Sequence, residues 1–156
     1  MLRIVPCGLL LAVLAACSSG DILREALPAG YVPDAAAKVA AADWSAARSV
    51  EVDLSEFEFA PNSLTFDRSQ PYRLVLRNDG SFTHTFTSKG FFQAIAAQKL
   101  VSATGVQTLP YIEQIEVPAG GSKELDFVAE RAGRYPLECS VFMHAAFGMT
   151  GEIVIR

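Results

Sequence analysis

Cys139, His144 and Met149 stand within eleven residues, Cys-Ser-Val-Phe-Met-His-Ala-Ala-Phe-Gly-Met, near the end of a strand-rich chain. A soft thiolate, an imidazole and a thioether in one short loop form the ligand set of a mononuclear copper site, and few other sites in proteins ask for that mixture. Such a site needs one more strong ligand. The chain contains one other histidine, His84, at the end of Asn78-Asp79-Gly80-Ser81-Phe82-Thr83-His84 and just after a predicted strand. Singly, each residue has a duller explanation: a free cysteine is most often a small buried hydrophobe, and a methionine a gap filler. Their conjunction favours a metal. Met143 is a rival for the thioether position, although packing or surface is its plainer reading.

These side chains must be positioned by strands. In Arg134-Tyr135-Pro136-Leu137-Glu138-Cys139, alternation sets Tyr135, Leu137 and Cys139 on one face and Arg134 and Glu138 on the other, so the thiol points with the core. Met149, Gly151, Ile153 and Ile155 share a parity in the last strand, which brings the thioether in from the same side. The two sulfurs can then approach one metal from neighbouring strands. Pro136 has no amide proton to give to a ladder, so it must face an edge or a bulge.

Gly133 to Cys139 follows the pattern Gly-x-Tyr-x-x-x-Cys, and Phe147 to Ile155 resembles Gly-Met-x-Gly-x-Ile-x-Val, with Ile155 in the last place. With Asn78 to His84 and the opening stretch Phe57 to Phe66, these segments resemble the cupredoxins, the family of plastocyanin, pseudoazurin, azurin and sulfocyanin, over residues 49–156. The resemblance implies an all-β Greek-key sandwich. It also implies one type 1 copper per chain, with imidazole nitrogens from His84 and His144, a short thiolate bond from Cys139 and a weak axial thioether from Met149. Such centres transfer electrons. The family often has Asn directly after its first His, where this chain has Thr85, and the spacing from Cys139 to His144 and on to Met149 makes a long ligand loop.

The cysteine count agrees. Arg3 precedes an apolar run from Leu9 to Ala16, too short to span a bilayer and typical of a secretory signal. Leu14-Ala15-Ala16-Cys17 resembles a bacterial lipoprotein cleavage site, which would lipidate Cys17 after removal of residues 1–16, and Ser18 resembles the outer-membrane sorting pattern. Several acyl chains, at about 0.8 kcal/mol per buried methylene, anchor durably. The exported part would keep Cys139 alone, an unpaired thiol in an oxidising compartment unless a metal holds it. One thiolate is too few for a binuclear purple centre. Two histidines are too few for the additional coppers of an oxidase or nitrite reductase acting within this chain.

Residues 17–48 are Ala-rich and read as a lipidated tether, with a helix from Asp34 to about Ser45; the rival is a helix packed on the sandwich through Val39 and Trp44. From residue 49 strand signals dominate: Val50, Val52 and Leu54 alternate, Phe57 and Phe59 continue with a parity shift suggesting a bulge, and Tyr72 to Arg77, Ile112 to Val117 and Leu125 to Val128 follow. The exception is Gly90 to Ala103, where Phe91, Phe92, Ile95, Ala96 and Leu100 recur at helical spacing. One inserted helix is expected there, capping the sandwich or facing a lipid or partner.

Function follows from the same residues. Phe142, Ala145, Ala146 and Phe147 surround His144 and are expected to form an apolar docking collar with the imidazole as electron exit. The expected partner is a redox protein such as a c-type cytochrome or a terminal oxidase or reductase, met by a monomer at the periplasmic side of the outer membrane. A formal charge of −4 suits a basic partner, and no basic patch with interleaved aromatics invites nucleic acid. The competing reading is a copper-handling or copper-tolerance lipoprotein, although the chain lacks a Met- or His-rich tract; a metal-free structural domain is a third. Enzymatic activity is not expected.

Overall fold

The computed structural model describes residues 27–156. The expected signal segment and Cys17 lie outside the described residues. Two sheets face one another. The first orders Glu58–Ala60 (β2), Arg48–Ser55 (β1), Pro71–Asn78 (β4), Ser122–Ala129 (β9), Ile95–Ser102 (β6) and Gly105–Gln107 (β7). The second orders Ser63–Phe66 (β3), Thr150–Ile155 (β11), Gly133–Glu138 (β10), His84–Thr87 (β5) and Gln114–Val117 (β8). Pairing is antiparallel except at β1 with β4 and β11 with β3. The class is the all-β sandwich that the sequence pattern predicts.

Inward residues of alternate parity make the core. Val52, Leu54, Leu74, Leu76, Leu125 and Phe127 from one sheet meet Leu64, Phe66, Phe86, Ile115, Leu137 and Ile153 from the other. Phe66 packs edge-on to Tyr72 at 4.8 Å and to Phe127 at 5.2 Å, and stacks on Phe91 at 5.7 Å. Burying each such ring contributes about 1.5–3 kcal/mol by area alone. Cys139 and Met149 belong to the same buried cluster, so the ligand loop is rooted in the core.

Three elements differ from the sequence reading. The inserted helix is a single short one, Lys89–Gln93 (α2), and Ile95 onward is strand β6, not helix. A register shift between Ala97 and Lys99 against β9 sets Ile95 and Leu100, five positions apart, both into the core. An unbroken strand cannot do that, and the slip imitates helical spacing. The parity change after Leu54 is likewise a tight hairpin, since Ser55 pairs with Glu58 and leaves Glu56 and Phe57 as the turn.

The expected tether is not free over residues 27–48. Ala35–Ala41 (α1) lies on β6, Lys38 reaches Glu130 at 3.2 Å, Val32 is buried, and Tyr31 Oη donates to the Ile112 carbonyl at 2.7 Å. The segment packs on the sandwich, as the packed-helix alternative has it, but through Tyr31, Val32 and Lys38; Trp44 Nε1 instead donates to the Val39 carbonyl at 3.0 Å, and no residue of α1 is buried. Asp34 occupies the N-cap position without a side-chain capping bond, and the helix ends before Ser45. Trp44–Ala46 forms a separate 3-10 turn, where the Asp43 carboxylate accepts from the Ser45 amide at 3.0 Å.

Candidate metal centre

His84 opens β5 and is held there by ladder pairing with Val117 of β8. The loop that delivers it is locked by the buried Asn78 side chain, whose Nδ2 donates to the carbonyls of Phe82 and Val117, each at 2.8 Å, and whose Oδ1 accepts from the Gly80 amide at 2.9 Å. Cys139 follows β10 directly, and Met149 precedes β11. β10 pairs with β11 along its length but with β5 only through Glu138 and Thr87, so the missing amide proton of Pro136 sits on a largely open side.

Between Cys139 and Met149 the chain is ordered by turns. The amides of His144, Phe147 and Gly148 donate to the carbonyls of Val141, Met143 and Ala145, at 3.1, 3.0 and 3.1 Å. Two further bonds close the loop's neck: Cys139 donates to the Met149 carbonyl and Met149 to the His144 carbonyl, both at 3.1 Å. Gly148, at φ +108°, takes a backbone conformation that favours glycine.

The loop and β5 bring three donor atoms together. Nδ1 of His84 and Nδ1 of His144 are 3.2 Å apart, and Cys139 Sγ lies 3.6 Å from the second and 3.9 Å from the first. A triangle with those edges has a centre about 2.1 Å from every corner, the length of a metal–imidazole bond and slightly short of a metal–thiolate bond. All three residues are buried. Met149 is buried beside them, its backbone bonded to both Cys139 and His144, whereas Met143 is exposed. Met149 is thus the buried thioether of the loop.

The donor set fits a metal ion. Two imidazoles turn the same nitrogen toward one thiol inside the protein, and protonation of either ring would place a cation there. Burial, followed by the neighbouring His144, lowers the His84 pKa below the ordinary imidazole value, and Glu56 only partly opposes this. The neutral ring that results is the ligating form. The Glu56 carboxylate accepts the Phe82 and Ser81 amides at 2.9 and 2.7 Å, bonds that hold its pKa below the usual carboxylate range.

Thr85 ties the two limbs of the site. Its amide donates to Cys139 Sγ at 3.4 Å, and its Oγ1 accepts from the Ser140 amide at 2.7 Å. Ser140 Oγ continues the network to Gln114 at 3.0 Å. Thr85 therefore supplies a link between the ligand segments where the resembled family often uses Asn.

The outer side of His144 is apolar. The imidazole is 8% exposed, and its loop neighbours Phe142 and Phe147 are 88% and 60% exposed. Of the expected collar, Ala146 is exposed and Ala145 half-buried. Two residues not foreseen from the sequence complete it: Phe57 packs edge-on to His144 at 4.8 Å and tilted to Phe147 at 5.0 Å, and exposed Phe82 lies 6.5 Å from the His144 ring. Nothing in the sequence pattern placed either ring beside the ligand loop.

Two facing sheets and a buried His2Cys cluster define a cupredoxin-like copper protein. A family model described as multicopper oxidase matches residues 34–156, and the chain belongs to that family. It is 27% identical over 117 residues to the copper-resistant cuproprotein CopI of Rubrivivax gelatinosus, across 71% of this chain and 68% of that protein. The fold is similar to that of auracyanin B, with a TM-score of 0.50 and 19% identity over 73% of this chain and 92% of the other. It is also similar to the McoA multicopper oxidase of Aquifex aeolicus, with a TM-score of 0.59 and 13% identity over 73% of this chain and 30% of the larger one.

Proposed function

We propose that the chain binds one type 1 copper and carries single electrons in the bacterial cell envelope, with His84, Cys139 and His144 as strong ligands and Met149 as the axial thioether. The observation that carries this reading is the buried triangle of two Nδ1 atoms and one Sγ around a point at bonding distance from all three. Bound copper would supply exchange between Cu(II) and Cu(I). The protein's part is to hold the donors still: His84 by the ladder, Cys139 by the core, and both by the Thr85 tie. A frame that changes little between the two oxidation states keeps electron transfer fast.

Phe142, Phe147, Ala145 and Ala146, joined by Phe82, form the docking collar, and the His144 edge beneath it is the electron exit. A c-type cytochrome or a terminal oxidase or reductase is the partner we propose, with lipidation at Cys17 holding a monomer on the outer membrane facing the periplasm. We assign the chain no catalysis of its own, because the additional coppers of an oxidase need imidazoles beyond His84 and His144, and its two histidines are committed here.

A second reading, copper tolerance, is favoured by the likeness to a relative named as copper-resistant. Repeated one-electron reduction and reoxidation of the copper-loaded protein separates the two. A carrier keeps its copper and its absorption through every cycle. A protein that releases the metal on each reduction handles copper instead.

A further inference from the structure

The far nitrogen of His84 is where the fold leaves a polar group unanswered. Nε2 is buried and makes no hydrogen bond among the described residues, yet Oε1 of Glu56 stands 3.5 Å from it. Glu56 sits in the hairpin turn between β1 and β2, a segment that supplies none of the proposed ligands. Its position is built. The same Oε1 accepts from the amides of Ser81 and Phe82, in the loop that leads into His84. Gly80 lets that loop close around the carboxylate, for a Cβ at residue 80 would lie 2.6 Å from Oε1. An acidic side chain is thus fastened, by backbone donors, behind the imidazole whose other nitrogen faces the metal centre.

We propose that Glu56 is a positioning and tuning residue of the metal centre, its carboxylate keeping the His84 proton on Nε2 so that the Nδ1 lone pair is free to ligate. Carboxylates behind metal-bound histidines fix the tautomer and ring orientation and raise the basicity of the ligand, and their loss typically costs about 10–100-fold in metal affinity. Its negative charge, passed through the ring, also favours the doubly charged ion over the singly charged one. Glu56 thereby lowers the reduction potential of the site. This inference rests on His84 being a ligand, as proposed above.

Glu56→Gln and Glu56→Ala in the full chain test it. Gln keeps an oxygen for the Ser81 and Phe82 amides and for Nε2–H but removes the charge; Ala removes both. Nitrogen NMR of the metal-free protein should find His84 as the Nε2–H tautomer in wild type and Glu56→Gln, and as a mixture in Glu56→Ala. Titration with Cu(II) and Cu(I) should show the ratio of their affinities falling about tenfold in Glu56→Gln, read as a potential about 59 mV higher for one electron. Folded variants with the wild-type ratio, potential and tautomer overturn the proposal. Should Glu56→Ala not fold, Glu56→Gln decides through the ratio. Failure of the copper reading looks different, because the wild type would then bind no copper while the tautomer measurement still tests Glu56.

Discussion

The two limbs of the metal centre are built in opposite ways. His84 stands on a strand paired with β8 and is fed by a loop pinned through Asn78, and it is fully enclosed. The limb from Cys139 to Met149 pairs with no strand between its ends and is ordered by turn bonds, and it exposes Phe142 and Phe147 to solvent. One limb fixes a single ligand in a strand ladder, and in the proposed function the other, besides supplying three, governs what can approach them. Cys139, buried at the root of the exposed limb and bonded to Thr85 of the enclosed one, joins the two tasks.

The largest effect is expected where both limbs meet. Cys139→Ser removes the soft donor and should abolish the intense thiolate-to-copper absorption entirely, measured in the visible spectrum of the copper-loaded protein. Next comes the frame behind the ligands. Phe91→Ala hollows the aromatic cluster around Phe66, Phe86 and Phe127 and should cost about 3–5 kcal/mol of stability in denaturant unfolding. If the spectrum of the surviving folded fraction is unaltered, ligand placement depends on the local ladder and ties more than on the core.

Acid should act on the enclosed limb. Burial depresses the His84 pKa, so the folded metal-free protein binds fewer protons there than the unfolded chain does. Stability then falls as pH drops below the unfolded imidazole value of about 6.5, at no more than about 1.4 kcal/mol per pH unit, and stops falling below the folded value. Unfolding of metal-free protein across that range measures it; a His84→Asn protein should lose this share of the slope. Thr85→Val is smaller again. It deprives the Ser140 amide of its acceptor and should cost about 1 kcal/mol while broadening the copper spectrum, since it loosens one limb from the other.

This contrast also explains what was legible in the sequence. Cys139, His144 and Met149 lie in one loop, and alternation in the flanking strands aimed both sulfurs inward; His84 was found because no other imidazole was available. The fold class followed from short alternating strands and their turns. Glu56, Phe57 and Phe82 were not found, since they reach the site only through the β1–β2 hairpin and the loop after β4, contacts between residues 25–90 positions apart. The helix read over residues 90–103 holds only at its start, Lys89–Gln93, and its further extent was misread for a local reason, a register slip in β6 that carries strand residues at helix-like spacing. The segment at 27–48 looked like a spacer because it is held to the sandwich by scattered residues, Tyr31, Val32 and Lys38, and not by an apolar helix stripe that a sequence pattern could reveal.

Phe147→Asp isolates the exposed limb. The ring is 60% exposed and touches Phe57 and the His144 neighbourhood from outside, so its loss should change stability by no more than about 0.5 kcal/mol. Neither Nδ1 nor Sγ depends on it, and the absorption and paramagnetic spectra of the copper form should stay as in wild type. Electron exchange with a docked cytochrome should nevertheless slow, because an aspartate in the collar must be desolvated on contact and adds charge where the surface is apolar. Raising the salt concentration would restore the rate if repulsion from a like-charged partner were the cause, and would not if the lost apolar contact were. An unchanged rate with an unchanged spectrum would mean that the partner approaches elsewhere, and the division of labour between the two limbs would then hold for ligand placement alone.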